Sequence, residues 1–397
     1  MKSHLTGRAL KTFQSRLLEW FRAHQRDLPW RASRDPYRIW VAEVMLQQTR
    51  IAAVMPYYQG FLDRFPKVES LARAPQAEVL KLWSGLGYYS RARNLHAAAK
   101  QIVARHGAQF PRELGGALDL PGIGVYTAAA VLSIAYDVPL AALDGNVARV
   151  LARIHAIPSD LRAPKTWSRL ASMANHVLAR DAASDWNQSL MELGEVVCAP
   201  QSPRCSMCPV ARWCRARAKG LVNEIPAPRR KRAPVHMKIA AAVLLDQRGR
   251  TLLVKDPGAH DGVLFSRMWQ FPAVEVTGGP KAALAAHLGA TLNLPDSALE
   301  LEELPAARHG VTFRNIALLP FLARVQQMPK LPRTRILPLA NLAKLPISSA
   351  TRKIAAAALA SRETIVGTRH AVPPPHFAAN SPLPDKRRPR HHLGDRC

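Results

Sequence analysis

Acidic residues are scarce in this chain: 28 Asp and Glu stand against 56 Lys and Arg in 397 residues, a formal net charge of +28. An excess that large excludes an electrostatically neutral surface and points to a polyanion as partner, whether DNA, RNA or an anionic membrane. Long apolar runs are also missing. No stretch of about 18 apolar residues occurs, so no spanning helix is expected. The start Met1-Lys2-Ser3-His4 carries no apolar signal segment, and the expectation is an intracellular, soluble protein. Cysteine is rare, with five in all, whereas 48% of the residues are hydrophobic. A chain of this length can build two or three domains with proper cores and needs no disulfide stapling.

Four of the five cysteines fall in one short stretch: Cys198, Cys205, Cys208 and Cys214, separated by six, two and five residues. Thiolates crowded this way read as ligands of one metal centre, either a structural zinc ion or an iron–sulfur cluster. Two disulfides are the competing reading, disfavoured by the absence of a secretory start. Zinc sites usually present two close CxxC pairs, and here only Cys205 and Cys208 form one, so the spacing favours a cluster. Arg204, Arg212, Arg215, Arg217 and Lys219 form a basic rim around it, suited to a surface laid against phosphates. Cys397 ends a polar tail and is expected to be a bystander.

Residues 8 to about 220 read as a succession of helices. Leu10–Arg22, Ile39–Tyr58, Val68–Trp83, Arg91–His106 and Thr127–Tyr136 carry apolar residues at helical spacing, many of them Ala and Leu. The composition then changes. A proline-rich, charged stretch at 226–234 reads as a linker between an all-α domain at 1–225 and a second domain at 235–345. In the second, Ile239–Leu245 and Thr251–Val254 flank a turn at Gly249, Ala282–Leu288 suits a helix and Ile316–Val325 a strand, an α+β pattern. Residues 346–397 are expected to hold a short helix at Ser349–Ala360, then a basic tail. The tail reads equally as a solvated charged end or as added DNA affinity.

Two further motifs carry chemistry. Leu120-Pro121-Gly122-Ile123-Gly124-Val125-Tyr126-Thr127 places two glycines in a tight turn before an alanine-rich helix. Such a turn can cradle a phosphate with backbone amides at a helix N-terminus, or it can be an ordinary corner between helices. After that helix, Asp144-Gly145-Asn146-Val147 begins the next one. Asp144 suits a helix N-cap and equally a carboxylate displayed in a cleft.

Over residues 10–345 the chain resembles the adenine DNA glycosylase (MutY) family of the helix–hairpin–helix DNA glycosylase superfamily. The matching segments are Leu28-Pro29-Trp30-Arg31, Trp40-Val41-Ala42-Glu43-Val44-Met45-Leu46-Gln47-Gln48-Thr49 and Trp83-Ser84-Gly85-Leu86-Gly87-Tyr88-Tyr89-Ser90-Arg91-Ala92-Arg93. The hairpin at 120–127, the Asp144 segment and the four cysteines complete the set. The resemblance implies a helix–hairpin–helix domain with an iron–sulfur loop at 198–214. Its cofactor would be a 4Fe–4S cluster on Cys198, Cys205, Cys208 and Cys214. A Nudix-like C-terminal domain would follow and help recognise 8-oxoguanine. Trp269-Gln270-Phe271-Pro272 matches a segment of that domain, but its catalytic box for nucleotide hydrolysis is absent, so no pyrophosphatase activity is expected.

The implied activity is excision of adenine mispaired with 8-oxoguanine or guanine in duplex DNA. The implied setting is the nucleoid of a bacterial cytoplasm, with no membrane and no obligate protein partner. Glu43 would protonate adenine and Asp144 would face the sugar cation, the two-carboxylate logic of glycoside hydrolysis. Asn146 would orient Asp144 or the attacking water, and Arg31 would lie near the nucleotide pocket. Tyr126 stands where bifunctional relatives carry the lysine that forms a Schiff base; a tyrosine cannot form that imine. Gln48 and Tyr88 would probe the helix, although Tyr88-Tyr89 reads as packing without the resemblance. Gly122 and Gly124 would meet DNA phosphates.

For 8-oxoguanine the family carries a phenylalanine–serine–histidine segment, matched here by Phe313, Arg314 and Asn315 after Thr312. Arg314 would grip a phosphate or a base face, and Asn315 would carry the readout. A thymine or oxidised-pyrimidine glycosylase is the nearest rival; a catalytically silent DNA-binding protein is another. Tyr126 and the second domain weigh against the first, Glu43 and Asp144 against the second.

Overall fold

The structure, a computed structural model, describes residues 4–227, 233–255, 268–294, 299–311 and 313–367. Much of the linker, Thr312 of the recognition segment, the basic tail and Cys397 lie outside the described residues. No helix among the described residues is long and apolar enough to cross a membrane.

Residues 4–227 are mainly helical: α1 (Gly7–His24), α2 (Pro36–Leu46), α3 (Ile51–Arg64), α4 (Val68–Arg73), α5 (Gln76–Leu82), α6 (Tyr89–Arg105), α7 (Leu114–Leu118), α8 (Val125–Tyr136), α9 (Gly145–His155), α10 (Pro164–Val177), α11 (Ala183–Val196) and α12 (Arg215–Ala218). Two of the helices expected from periodicity are each broken in two. Ile39–Tyr58 divides into α2 and α3 because Gln48 adopts a left-handed φ of 58°, which no helix interior accommodates. Val68–Trp83 divides at Pro75, whose missing N–H suits it to lead into α5 rather than lie inside a helix.

These helices bury two cores. One, from Leu28 to Ala142, gathers α2 to α8 around Trp40, Phe61 and Trp83. The other joins α1 to α9, α10 and α11 around Phe13, Leu151 and Trp186. The α8 sequence is apolar on nearly every side, and nine of its residues are buried, so it runs through the interior of the first core. Met191 of α11 packs against both cores, and the pocket described below opens beside it.

The second half folds into one mixed sheet of eight strands among the described residues: β1 (Val235–Leu245), β2 (Arg250–Lys255), β3 (Trp269–Gln270), β4 (Ala273–Glu275), β5 (Glu302–Glu303), β6 (Ala307–Val311), β7 (Arg314–Arg324) and β8 (Thr334–Pro338). Its centre is the parallel pair β1 and β7, in register from Val235 opposite Arg314 to Leu245 opposite Arg324. Side chains alternate across a strand, so Ala241, Val243 and Leu245 face one core and Ala240, Ala242 and Leu244 the other. Helix α13 (Pro280–Leu292) covers the second face with Leu284, Leu288 and Leu292. Helix α14 (Ser349–Gly367) covers the first with Ile354 and Ala358. It begins beyond residue 345, yet shares the core of β1.

Candidate active site

Glu43 sits in the third turn of α2, on a helix with eight buried residues, and is itself 7% exposed. A carboxylate there loses its hydration. Burial pushes the Glu43 carboxyl up to about 7; the Asp144 charge adds to the rise, and the hydrogen bond from Tyr126 opposes it. That bond runs from the Tyr126 hydroxyl to Glu43 Oε2 at 2.8 Å. Burial and the two nearby carboxyls also lift the Tyr126 phenol well above its ordinary value, so it remains a neutral donor.

Asp144 is the N-cap of α9: its Oδ1 accepts from the Val147 amide at 2.6 Å. Burial raises its carboxyl above the ordinary range, while the Val147 and Asn146 amides and the charge of Arg149 pull it back down. Both readings of this residue therefore hold together, since the cap also faces the pocket. The Asn146 side chain is engaged by Glu195 and Arg149. Its Nδ2 donates to Glu195 Oε2 at 3.4 Å and its Oδ1 accepts from Arg149 Nη2 at 2.9 Å.

Glu43, Tyr126, Asp144, Asn146, Gln48 and Arg31 all line one pocket of about 630 Å³, a size typical of small-ligand sites. Sequence reasoning missed its far wall. Glu192 of α11, 1% exposed, binds the Arg26 guanidinium through two hydrogen bonds at 2.6 and 2.9 Å and Arg31 at 2.8 Å. Burial pushes the Glu192 carboxyl up, but the two arginines outweigh it and hold it below the ordinary range. Gln188 donates nothing to this pair but accepts from Arg31 Nε at 3.2 Å. Gln188, Glu192 and Glu195 recur at i, i+4 and i+7, a polar stripe on α11 that was readable in the sequence.

A second hollow of about 220 Å³ is lined by Gln48, Tyr88 and Gly122 among others. Tyr88 is 40% exposed and has a left-handed φ of 48°. Gly122, at φ 77°, has no room for a side chain: a Cβ would lie 2.6 Å from that of Asn94. Gly124 is the N-cap of α8 and offers no side-chain cap, so the first amides of that helix stay open toward solvent. Arg91 ties the Gln48 and Tyr88 segments together. Its buried guanidinium donates to the carbonyls of Val44, Met45 and Gln47 and to Thr49 on one side, and to the carbonyls of Leu86 and Gly87 on the other.

Phe313, Arg314 and Asn315 line neither hollow. They lie at the start of β7, where Arg314 stands over the Phe313 ring at 5.0 Å and Asn315 is exposed opposite Gly310 of β6.

The cysteine segment requires a correction. Cys198, Cys205, Cys208 and Cys214 line one small, almost wholly apolar hollow with Val150, Ile154 and Val210. However, among the described residues no group of three or more His, Cys, Asp or Glu side chains is arranged to hold a metal ion. The expected 4Fe–4S cluster, the iron–sulfur loop at 198–214 and the metal-ligand roles of these cysteines are therefore not supported. Burial pushes the Cys208 thiol up to about 12 and raises that of Cys214, which favours protonated sulfur at those two positions. Cys214 Sγ accordingly donates to the Arg153 carbonyl at 3.5 Å. The segment is anchored by Arg153, 1% exposed, which donates to the carbonyls of Cys198, Ala199, Pro200 and Ile225.

Residues 41–175 match the model of the HhH-GPD superfamily of base excision DNA repair proteins. The adenine DNA glycosylase of Mus musculus is 36% identical over 313 residues, covering 66% of this chain and 60% of the mouse protein. That of Homo sapiens is 44% identical over 216 residues, covering 52% of this chain and 40% of the human protein. The chain thus spans roughly half the length of these mammalian relatives. The adenine DNA glycosylase of Buchnera aphidicola subsp. Acyrthosiphon pisum is 32% identical over 245 residues, which cover 62% of this chain and 70% of that one. With that span of shared sequence, over a helical fold that brings Glu43, Tyr126 and Asp144 to one pocket, this chain belongs to the adenine DNA glycosylase family.

Proposed function

We propose that this chain is a monofunctional DNA glycosylase that removes adenine mispaired with 8-oxoguanine or guanine, leaving an abasic site. The observation that carries the reading is a pair of carboxyls in one pocket. Glu43 is raised to about 7 and held by a phenol, while Asp144 is held at a helix N-terminus by backbone amides. Two carboxyls in such different settings can divide into an acid and a charge stabiliser.

Adenine cannot be reached inside the stack, so the nucleotide must turn out into the pocket. Glu43 then gives its proton to N7 of the base. The C1′–N9 bond breaks with its electron pair passing to adenine, and positive charge develops on the sugar. Asp144 faces that charge. A water molecule adds its oxygen to C1′ and passes a proton to the Glu43 carboxylate, which restores the acid. Tyr126 offers no amine to attack C1′, so no imine forms and the DNA strand stays intact. The net charge of +28 supplies long-range attraction to the duplex, and the open amides at Gly124 offer a phosphate seat near the pocket. Such a substrate is met at the nucleoid.

Single-turnover base release tests the reading, on duplexes with adenine opposite 8-oxoguanine, guanine, cytosine or thymine at one salt concentration. Release is expected from the first two, without strand scission. Asp144→Asn is expected to bind the duplex and release no base; substantial turnover by that variant would overturn the assignment. Rapid strand cleavage with borohydride-trappable intermediates would overturn the monofunctional reading.

A further inference from the structure

Tyr88 holds an energetically unfavourable backbone conformation on an exposed turn, and a side chain that must enter a base stack needs that turn fixed in advance. The turn begins at Ser84, which is 4% exposed although it carries a hydroxyl. Its partners come from the opposite end of the chain. Ser84 Oγ donates to the Ile347 carbonyl at 2.9 Å, and the Tyr89 hydroxyl donates to the same carbonyl at 3.1 Å. Arg352, in the first turn of α14, donates through Nη2 to the Ser84 carbonyl at 3.0 Å and to Ser84 Oγ at 2.7 Å. The start of α14 is itself fixed, since Ser348 Oγ accepts from the Thr351 amide at 3.0 Å.

Gly85 shows how tightly this latch closes. At φ 109°, a Cβ there would lie 2.3 Å from the Tyr57 hydroxyl and 3.4 Å from Arg352 Nη1. The next links run inside the helical domain: Trp83 Nε1 donates to the Gly87 carbonyl at 3.1 Å, and Arg91 lies under the Tyr88 ring at 5.3 Å. An unbroken path of hydrogen bonds and packing thus joins the sheet domain to the exposed tyrosine.

We infer that Arg352, with the Ile347 carbonyl, is a positioning element by which the C-terminal domain sets the Tyr88 turn for insertion into DNA. The inference rests on the glycosylase reading for the role of Tyr88, but not for the latch itself. Neither Arg352 nor Ile347 lines the pocket, so on this proposal the effect of Arg352 passes through Tyr88.

A double-mutant cycle in the full chain tests this. Arg352→Met keeps the stem and removes the donors; Tyr88→Ala removes the inserting ring. Both are read by single-turnover adenine release and by the dissociation constant for the A:8-oxoguanine duplex. With Tyr88 present, Arg352→Met is expected to slow release and weaken binding by roughly five- to tenfold. In the Tyr88→Ala background it should add less than twofold. Equal penalties in both backgrounds would overturn the proposal, because Arg352 would then act on DNA directly or on overall folding. Ser84→Ala removes the Oγ contacts with Arg352 and the Ile347 carbonyl but leaves the bond to the Ser84 carbonyl, so it should reproduce the pattern with a smaller penalty if Arg352→Met fails to fold. If the unaltered chain released no base, the glycosylase reading would fall, and the cycle on binding alone would still decide the latch.

Discussion

Replacing Glu43 with Gln separates stability from catalysis in a way that the burial of this residue dictates. Its carboxyl rises from 4.5 to about 7 in the folded chain. Below pH 4.5 the group is protonated in both folded and unfolded chains and contributes no difference. As the pH climbs toward 7, the unfolded chain gives up a proton that the folded chain keeps, so stability falls. Above 7 the folded chain ionises too, and the loss is complete. At 1.36 kcal/mol per pKa unit, the full loss is about 3 kcal/mol. A glutamine never ionises, and its amide oxygen can still accept from Tyr126. Glu43→Gln is therefore expected to match the unaltered protein at pH 4 and to exceed it by about 3 kcal/mol at pH 8, which corresponds to roughly 6–12 °C in the melting temperature of a unit of this size. It should also release no adenine at any pH. Urea and thermal unfolding at pH 4, 6 and 8, in one salt, would show the two stabilities diverging as the pH rises. Parallel stability curves, or a less stable variant at pH 8, would refute the claim that the native fold holds a protonated acid at this position.

Base release by the unaltered protein should decline as the pH rises through about 7, where Glu43 loses its proton. Tyr126→Phe removes the hydrogen bond that pulls the Glu43 carboxyl down, so the alkaline limb of the rate profile should move to higher pH; a limb that stayed put would show that the phenol does not act on the acid. In the sheet domain, Arg314→Ala should weaken binding to A:8-oxoguanine and A:G duplexes alike and flatten the salt dependence by about one phosphate contact. Asn315→Ala should instead narrow the preference between them, as read from dissociation constants across a salt series. If Arg314→Ala erased the preference and left A:G binding unchanged, that division of roles would be wrong.

The helical first half and the sheet that follows were both legible, because periodicity and the proline-rich linker are local properties of the sequence. The break at Gln48 was not. The polar run Gln47-Gln48-Thr49-Arg50 also fits one exposed turn of a continuous helix, and the carbonyls freed at the end of α2 are satisfied by Arg91, more than forty residues away. A partner so remote leaves no local mark, and so the turn that presents Gln48 to both hollows could not be drawn from pattern alone. The cysteine spacing misled for a related reason. Spacing reports which sulfurs can meet, and the four do share a hollow, but it does not report whether their surroundings favour thiolate. At Cys208 and Cys214 burial favours the thiol.

Burial alone would push both pocket carboxyls the same way, and the fold makes them different through what each is bonded to. Glu43 lies within a helix whose own amides are already used, so the one bond it receives comes from the neutral phenol of Tyr126. Asp144 caps a helix, where free amides and the positive end of the peptide dipoles converge, with Arg149 one turn behind. The first setting stores a proton, and in the second the amides and Arg149 offset part of the rise that burial causes. The division of labour therefore belongs to the helix positions rather than to the residue types: a carboxyl at position 43 meets burial and a phenol, whereas one at position 144 meets helix amides and the charge of Arg149.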